Sequence, residues 1–262
     1  MWTRAELKKR AKAVLKNIYW RAFGVGLVIM IAGGLDSGYG GASGGSNNGN
    51  NGQNGQDGFV GNFNLNDYMN PDFFLFLGIF IAAFFIVLFL VLSIRIFLGY
   101  PLEVGGKRFF VKASQYEDLD SCFSFAFKRE NYKHIVVTML VKDIYNFLWF
   151  LLLIIPGIVK GYAYRMVPYI LTNNPSIGTS RAIQLSNEMT RGHKFSMFVL
   201  DLSFIGWYLL GLLALVIGIL FVIPYEIATK AELYIVLRNG AIESGLSNSE
   251  ELRMNTPEVN EI

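Results

Sequence analysis

The chain has 262 residues, of which 53% are hydrophobic, 15% aromatic and 16% charged, with a net charge of +3 and a mean hydropathy of +0.38. A water-soluble domain carries nearer a quarter charged residues, so the apolar excess points to a polypeptide solvated by lipid rather than to one or two soluble domains. The lone Cys122 excludes an intramolecular disulfide and a Cys-rich metal site, and His134 and His193 are too few for a histidine cluster.

The first 21 residues, MWTRAELKKRAKAVLKNIYWR, hold seven Lys or Arg. Leu7, Ala11, Val14 and Leu15 recur at helical spacing, which predicts an amphipathic helix whose basic flank suits the headgroup layer. A weaker apolar run from Ile18 to Leu35 follows. Its basic lead is too long for a signal peptide and no small-x-small site follows, so the segment reads as a retained crossing.

Residues 36–72 are Gly/Asn/Gln-rich, hold four Asp and neither Lys nor Arg, and lack apolar periodicity. Such a composition predicts a flexible extracytoplasmic linker, because it cannot bury enough surface to offset its ordering entropy. Phe73–Leu98 is the clearest crossing, uncharged until Arg95. The connection after it carries Lys107, Arg108, Lys112, Lys128, Arg129 and Lys133.

His134–Leu171 and Phe195–Leu237 are each too long for one crossing. They read as two-helix hairpins, bent near Ile155-Pro156-Gly157 and near Leu215–Leu220. The connection between them has Arg181, Arg191 and Lys194, and the tail adds Arg238 and Arg253. Basic residues thus alternate by side, which predicts six crossings with both termini cytoplasmic and residues 36–72 outside.

Two of the runs share a skeleton: DIYNFLWFLL (Asp143–Leu152) and DLSFIGWYLL (Asp201–Leu210). Short segments with apolar faces precede them, through Leu119, Cys122, Phe123, Ala126 and Phe127, and through Ala182, Leu185 and Met189. The predicted fold is therefore all-α, a polytopic bundle of six helices in three repeated hairpins, each preceded by an interfacial helix. Its parts are a single membrane domain over 1–240 and a flexible cytoplasmic tail over 241–262. Within the domain lie 1–35, the loop 36–72, the crossing 73–98, and the second and third repeats over 113–171 and 176–238.

If helical, Asp143 lies about 13 Å beyond His134 and Asp201 about 10 Å beyond Lys194, at 1.5 Å per residue. A central Asp costs about 2.5–3.5 kcal/mol on insertion, so each needs a partner. Folding each hairpin about its turn predicts the pairs Asp143–Arg165 and Asp201–Lys230, with Glu226 reaching Lys230 at i,i+4. Lys142 is free to snorkel, while Lys160 and Glu232 have no evident partner. Such a polar cluster either fixes hairpin register or lines a path for an ion, peptide or lipid headgroup.

Gly24, Gly26, Gly33, Gly34 and Gly78 read as packing points, and Trp20, Trp149, Trp207, Tyr162, Tyr164 and Tyr169 as interface anchors or packing residues. Neither HExxH, GxSxG nor a phosphate-cradling Gly loop before a helix is present. The expectation is a protein that is not an enzyme and needs no cofactor or metal. Its expected partners are anionic lipid headgroups at the basic helices and a membrane protein, with no nucleic acid.

The segments RAELKKRAKAVLKNIYWRAF, PLEVGGKRFF, FKRENYKHI and MVPYILTNNPSIGTSRAIQLSNEMTRGHKFSMFVLDLSFIGWYLL are similar to bacterial integral membrane proteins grouped as the domain of unknown function 975. SRAIQLSNEMTRGHK is the most specific of these. The resemblance implies a multi-pass plasma-membrane protein of a Gram-positive bacterium, with no established activity. A more distant resemblance, to the membrane domains of some glycerophosphodiester phosphodiesterases, brings no catalytic domain here. The Asn/Gly-rich loop departs from the family in its length.

Overall fold

The computed structural model describes residues 2–33, 71–213 and 217–253, so the low-complexity loop and the last residues of the tail lie outside the described residues. Ten α-helices and no strand are found among the described residues. By its contacts the chain divides into two units, Met1–Gly38 with Arg95–Ile262, and Tyr39–Ile94. In the second, the described element is α2 (Pro71–Ile94). Its 24 residues reach about 36 Å at 1.5 Å each, more than the roughly 30 Å of a hydrocarbon core.

The larger unit begins with α1 (Arg4–Ile31). Thr3 caps it by accepting the Glu6 N–H at 3.3 Å, with Glu three places on as in a capping box. Ile18 leaves helical geometry and kinks the helix where the basic half meets the apolar half. The buried stripe of the first half is Leu7, Ala11, Val14 and Leu15, the set the periodicity predicts. This stripe packs lengthwise on a later helix, so the basic half of α1 is docked rather than separate.

After a π-helical turn at Arg95–Gly99, α3 runs from Tyr100 to Ser114. Sequence places this stretch in a basic connection, but the structure makes it the centre of the unit. Nearly all its residues are buried, Glu103 and Lys107 included, and it packs against α1 and four other helices. Gly105 and Gly106 allow this: a Cβ on Gly105 would lie 3.0 Å from the Phe123 Cα, and one on Gly106 would overlap Ile29.

The second hairpin comprises α4 (Cys122–Phe127), α5 (Arg129–Leu152), α6 (Ile154–Tyr164) and α7 (Val167–Asn173). Its bend falls at Leu153, in extended geometry, and Pro156 sits in the first turn of α6 where a missing N–H is tolerated. The return arm, expected as one helix, breaks again at Arg165–Met166 ahead of Pro168. The third comprises α8 (Thr179–Met189), α9 (Lys194–Leu213) and α10 (Ile217–Glu243). Part of its expected bend lies outside the described residues.

Residues 241–262 are expected as a flexible tail, and the structure corrects this as far as Arg253. Leu252 is buried, the Asn174 amide donates to the Glu251 carbonyl at 2.9 Å, and Arg181 donates to the Leu246 carbonyl at 2.7 Å. Four helical runs, Arg4–Ile31, Phe74–Ser114, Arg129–Leu152 and Lys194–Leu213, are long and apolar enough to cross a membrane.

Candidate functional site

Most buried charges of the larger unit, though not Glu232 and Arg238, fall into two groups. The first lies where α6, α9 and α10 meet. Asp201 on α9 takes the Arg165 guanidinium at 2.7 Å and the Tyr162 hydroxyl at 2.9 Å, both from the second hairpin. Lys230 on α10 lies 4.0 Å from Asp201 and 2.7 Å from Glu226, one turn earlier on the same helix. The Tyr208 hydroxyl donates to Glu226. Two carboxylates thus face two cations, with Glu226 2% and Lys230 3% exposed.

The predicted Glu226–Lys230 pair is present, and Lys230 is at the limit of contact with Asp201. The predicted Asp143–Arg165 pair is not how these side chains are used. Arg165, at the end of α6, pairs instead with Asp201 of the third hairpin, against which α6 packs. Asp143 instead takes the Lys142 ammonium at 2.9 Å and the Tyr100 hydroxyl at 2.7 Å, and its side chain is 39% exposed. Lys142, expected to snorkel, is engaged with its own neighbour.

The second group runs along α3 and was not foreseen. Glu103 accepts from Arg95 at 2.9 Å and from Lys107 at 3.1 Å, one turn apart on the helix. Arg95 also donates to the Ala32 carbonyl at the end of α1 and lies 5.0 Å from the Tyr100 ring. Lys107 sits 4.9 Å over the Tyr169 ring, which stacks on Tyr234. The Glu103/Lys107 spacing was a legible i,i+4 signal. Burial was not, since a Lys-Arg dipeptide reads as a loop.

Lys160 and Glu232, expected without partners, have different surroundings. Lys160 sits 4.8 Å over the Trp149 ring, a cation–π contact between the arms of the second hairpin. Glu232 is buried on α10, with Ser114 and Arg10 as its electrostatic neighbours. Across the site one pattern recurs: Asp143, Asp201 and Glu226 each accept a Tyr hydroxyl and face a cation. Sequence reasoning missed these tyrosines because their partners are remote in the chain. Among the described residues no group of three or more His, Cys, Asp or Glu is placed to hold a metal ion.

Away from this cluster, Arg181 donates to Glu251 at 2.6 Å. That bond holds the Glu251 carboxyl below the usual carboxylate range and lifts Arg181 above its own; burial opposes both. Burial raises the Cys122 thiol, consistent with a packing role.

Two grooves are found among the described residues. One, of about 660 Å³, lies between α1, α9 and α10 and is lined by apolar and aromatic side chains with Lys12 and Lys16. The other, of about 530 Å³, is polar and includes Trp2, Arg10, Glu188, His193 and Glu243. Neither is lined by Asp143, Arg165, Asp201 or Lys230.

A family model described as a protein of unknown function, DUF975, matches residues 67–240. No curated protein and no solved structure matches the chain.

Proposed function

The chain belongs to the DUF975 family, and from that premise we propose that it is a multi-pass protein of the bacterial cytoplasmic membrane. In this reading it is a non-enzymatic module acting through lipid or protein contacts. The observation that carries it is the pairing of Asp201 and Glu226 with Arg165 and Lys230 across three helices. Asp201 and Glu226 each face a cation and accept a tyrosine hydroxyl, and neither groove described above is lined by them. Charges tied in this way act as fasteners between helices, while the surface that remains apolar meets lipid or a partner.

The proposed topology keeps both termini cytoplasmic, residues 36–72 outside and six crossings in three hairpins. In its support, the two Asp-x-x-x-x-x-Trp skeletons fall on α5 and α9, each preceded by a short helix and followed by a return helix. One contact pulls against a full third crossing. Lys12 on α1 lies 5.8 Å from the Trp207 ring and 5.5 Å from that of Tyr225, far along the third hairpin. Reporter fusions at Leu213 decide: an external reporter is expected, and a cytoplasmic one makes the third hairpin re-entrant.

A transporter or permease-like role is the second reading, moving an ion, peptide or lipid-related solute through the same cluster. One observation favours it. The Asp201 Oδ1 is buried without a hydrogen bond, and Lys230 stands 4.0 Å away, a looser contact than its pair with Glu226. Single cysteines at Asp201, Glu226 and Lys230, treated with a membrane-impermeant thiol reagent, separate the two. The module reading predicts no labelling from either face; labelling of all three identifies a wet path and overturns it.

A further inference from the structure

We propose that the groove between α1, α9 and α10 is a binding site for one anionic phospholipid, with its phosphate at Lys12 and Lys16 and an acyl chain along the apolar wall. The inference deepens the module reading and rests on it, by naming the lipid class and the place. Three observations on different elements converge here.

First, the groove's charged lining residues are both lysines, one turn apart on α1, and no carboxylate lines it. Lys12 is held by the Trp207 and Tyr225 rings, which leave its ammonium free to take an anion as well. Three other basic residues of α1 are already engaged: Arg10 with Glu6, Arg21 with Asp120 at 3.5 Å, and Lys8 with the Ser203 carbonyl at 3.2 Å. Among the described residues, Lys16 has no such partner and is exposed.

Second, the wall beyond the lysines is apolar over its whole length. Leu15, Leu210, Phe221 and Val222 line it, and the glycine pair Gly211 and Gly218 leaves room at its base. The pair also brings α9 and α10 close, since a Cβ on Gly211 would lie 2.8 Å from the Ile219 nitrogen. At about 660 Å³ the groove falls in the usual range of ligand clefts, roughly 300–1,000 Å³. Third, it is continuous with an exposed apolar face of α9, Leu209, Leu210, Leu212 and Leu213, so a chain can enter sideways from the bilayer.

Charge complementarity selects the occupant. A zwitterionic lipid offers the lysines one phosphate but sets its own cation beside them, whereas an anionic lipid adds no cation. An apolar partner helix would cover the wall and leave both ammonium groups unpaired at its rim.

The test uses the full chain in phosphatidylcholine vesicles doped with brominated phosphatidylglycerol or brominated phosphatidylcholine. Fluorescence is read from Trp207 in a variant with Trp2, Trp20 and Trp149 changed to Phe. Brominated phosphatidylglycerol is expected to quench Trp207 at the lower mole fraction. Lys12→Gln with Lys16→Gln is expected to erase that preference by roughly fivefold per lysine, and Lys→Arg at both to keep it. In the background lacking only the other tryptophans, raising salt from about 50 to about 500 mM should weaken the phosphatidylglycerol arm alone. Equal quenching by the two lipids, or a preference indifferent to both the Gln pair and salt, overturns the site. So does a Leu210→Cys disulfide between two copies in the membrane, which gives the groove to a second chain. Thiol labelling of Asp201, Glu226 and Lys230 reads the module proposal separately: a dry cluster with no lipid preference sinks the groove alone.

Discussion

The second and third hairpins carry the same Asp-to-Leu-Leu skeleton, yet their carboxylates live differently. Asp143 is 39% exposed and is served by its own neighbour Lys142 and by Tyr100 of α3. Asp201 is 19% exposed and gathers Arg165 and Tyr162 from one hairpin and Lys230 from another helix of its own. One motif, then, yields a local ion pair in one copy and a three-helix junction in the other. The difference is set by what faces each helix, since α6 packs against both α5 and α9 while α3 fills the space beside Asp143.

The largest expected effect comes from breaking that asymmetry at its cation. Arg165→Met leaves Asp201 and Glu226 with a single partner, at a cost of about 3–5 kcal/mol in a buried site. Asp143→Asn keeps an acceptor for the Tyr100 hydroxyl and breaks only the pair with Lys142, so it should cost less, about 0.5–1.5 kcal/mol. Thermal unfolding in detergent compares the two, and equal losses would mean that the junction is no tighter than the local pair.

A middle-sized effect sharpens the contrast through the tyrosines. Tyr208→Phe removes the hydroxyl from buried Glu226, and about 1.5–3 kcal/mol of stability should go with it. Tyr100→Phe, beside the less enclosed Asp143, should cost nearer 0.5–1.5 kcal/mol. Denaturation of both variants by a graded harsh detergent orders them, and the reverse order would contradict the burial argument.

The smallest concerns the tail, which touches neither hairpin carboxylate. Bonding to Arg181 depresses the Glu251 carboxyl in the folded state. Its stabilising contribution is therefore complete above the unfolded value of about 4.3 and is lost as pH falls through the folded one. Amide exchange at residues 246–252 should speed up in that acid window with the membrane helices unaffected. Glu251→Gln should remove the pH step. A step that survives the substitution would point to another group.

The residues show why some of this was legible and some was not. Leu7, Ala11, Val14 and Leu15 fell on one face in sequence and are buried together, because a helix repeats every 3.6 residues wherever it packs. The Glu226–Lys230 pair was legible for the same reason. Arg165 is matched to a different carboxylate in the sequence reading because mirroring a hairpin considers only its own two arms, whereas α6 also packs against α9. Lys107 was read as a connection charge and Glu103 was passed over because hydropathy averages a helix that carries four charged residues yet buries most of its length.

By itself the sequence determined which runs are long and apolar enough to cross a membrane and where the buried stripe of α1 falls: apolar runs of bilayer length and periodic faces are local properties, set within a turn or two of chain. Which cation answers which carboxylate was decided only by the tertiary structure. Ion pairing depends on a separation of a few ångströms between side chains as far apart in the chain as Arg165 and Asp201, and that separation is fixed by how helices rotate and break as they pack.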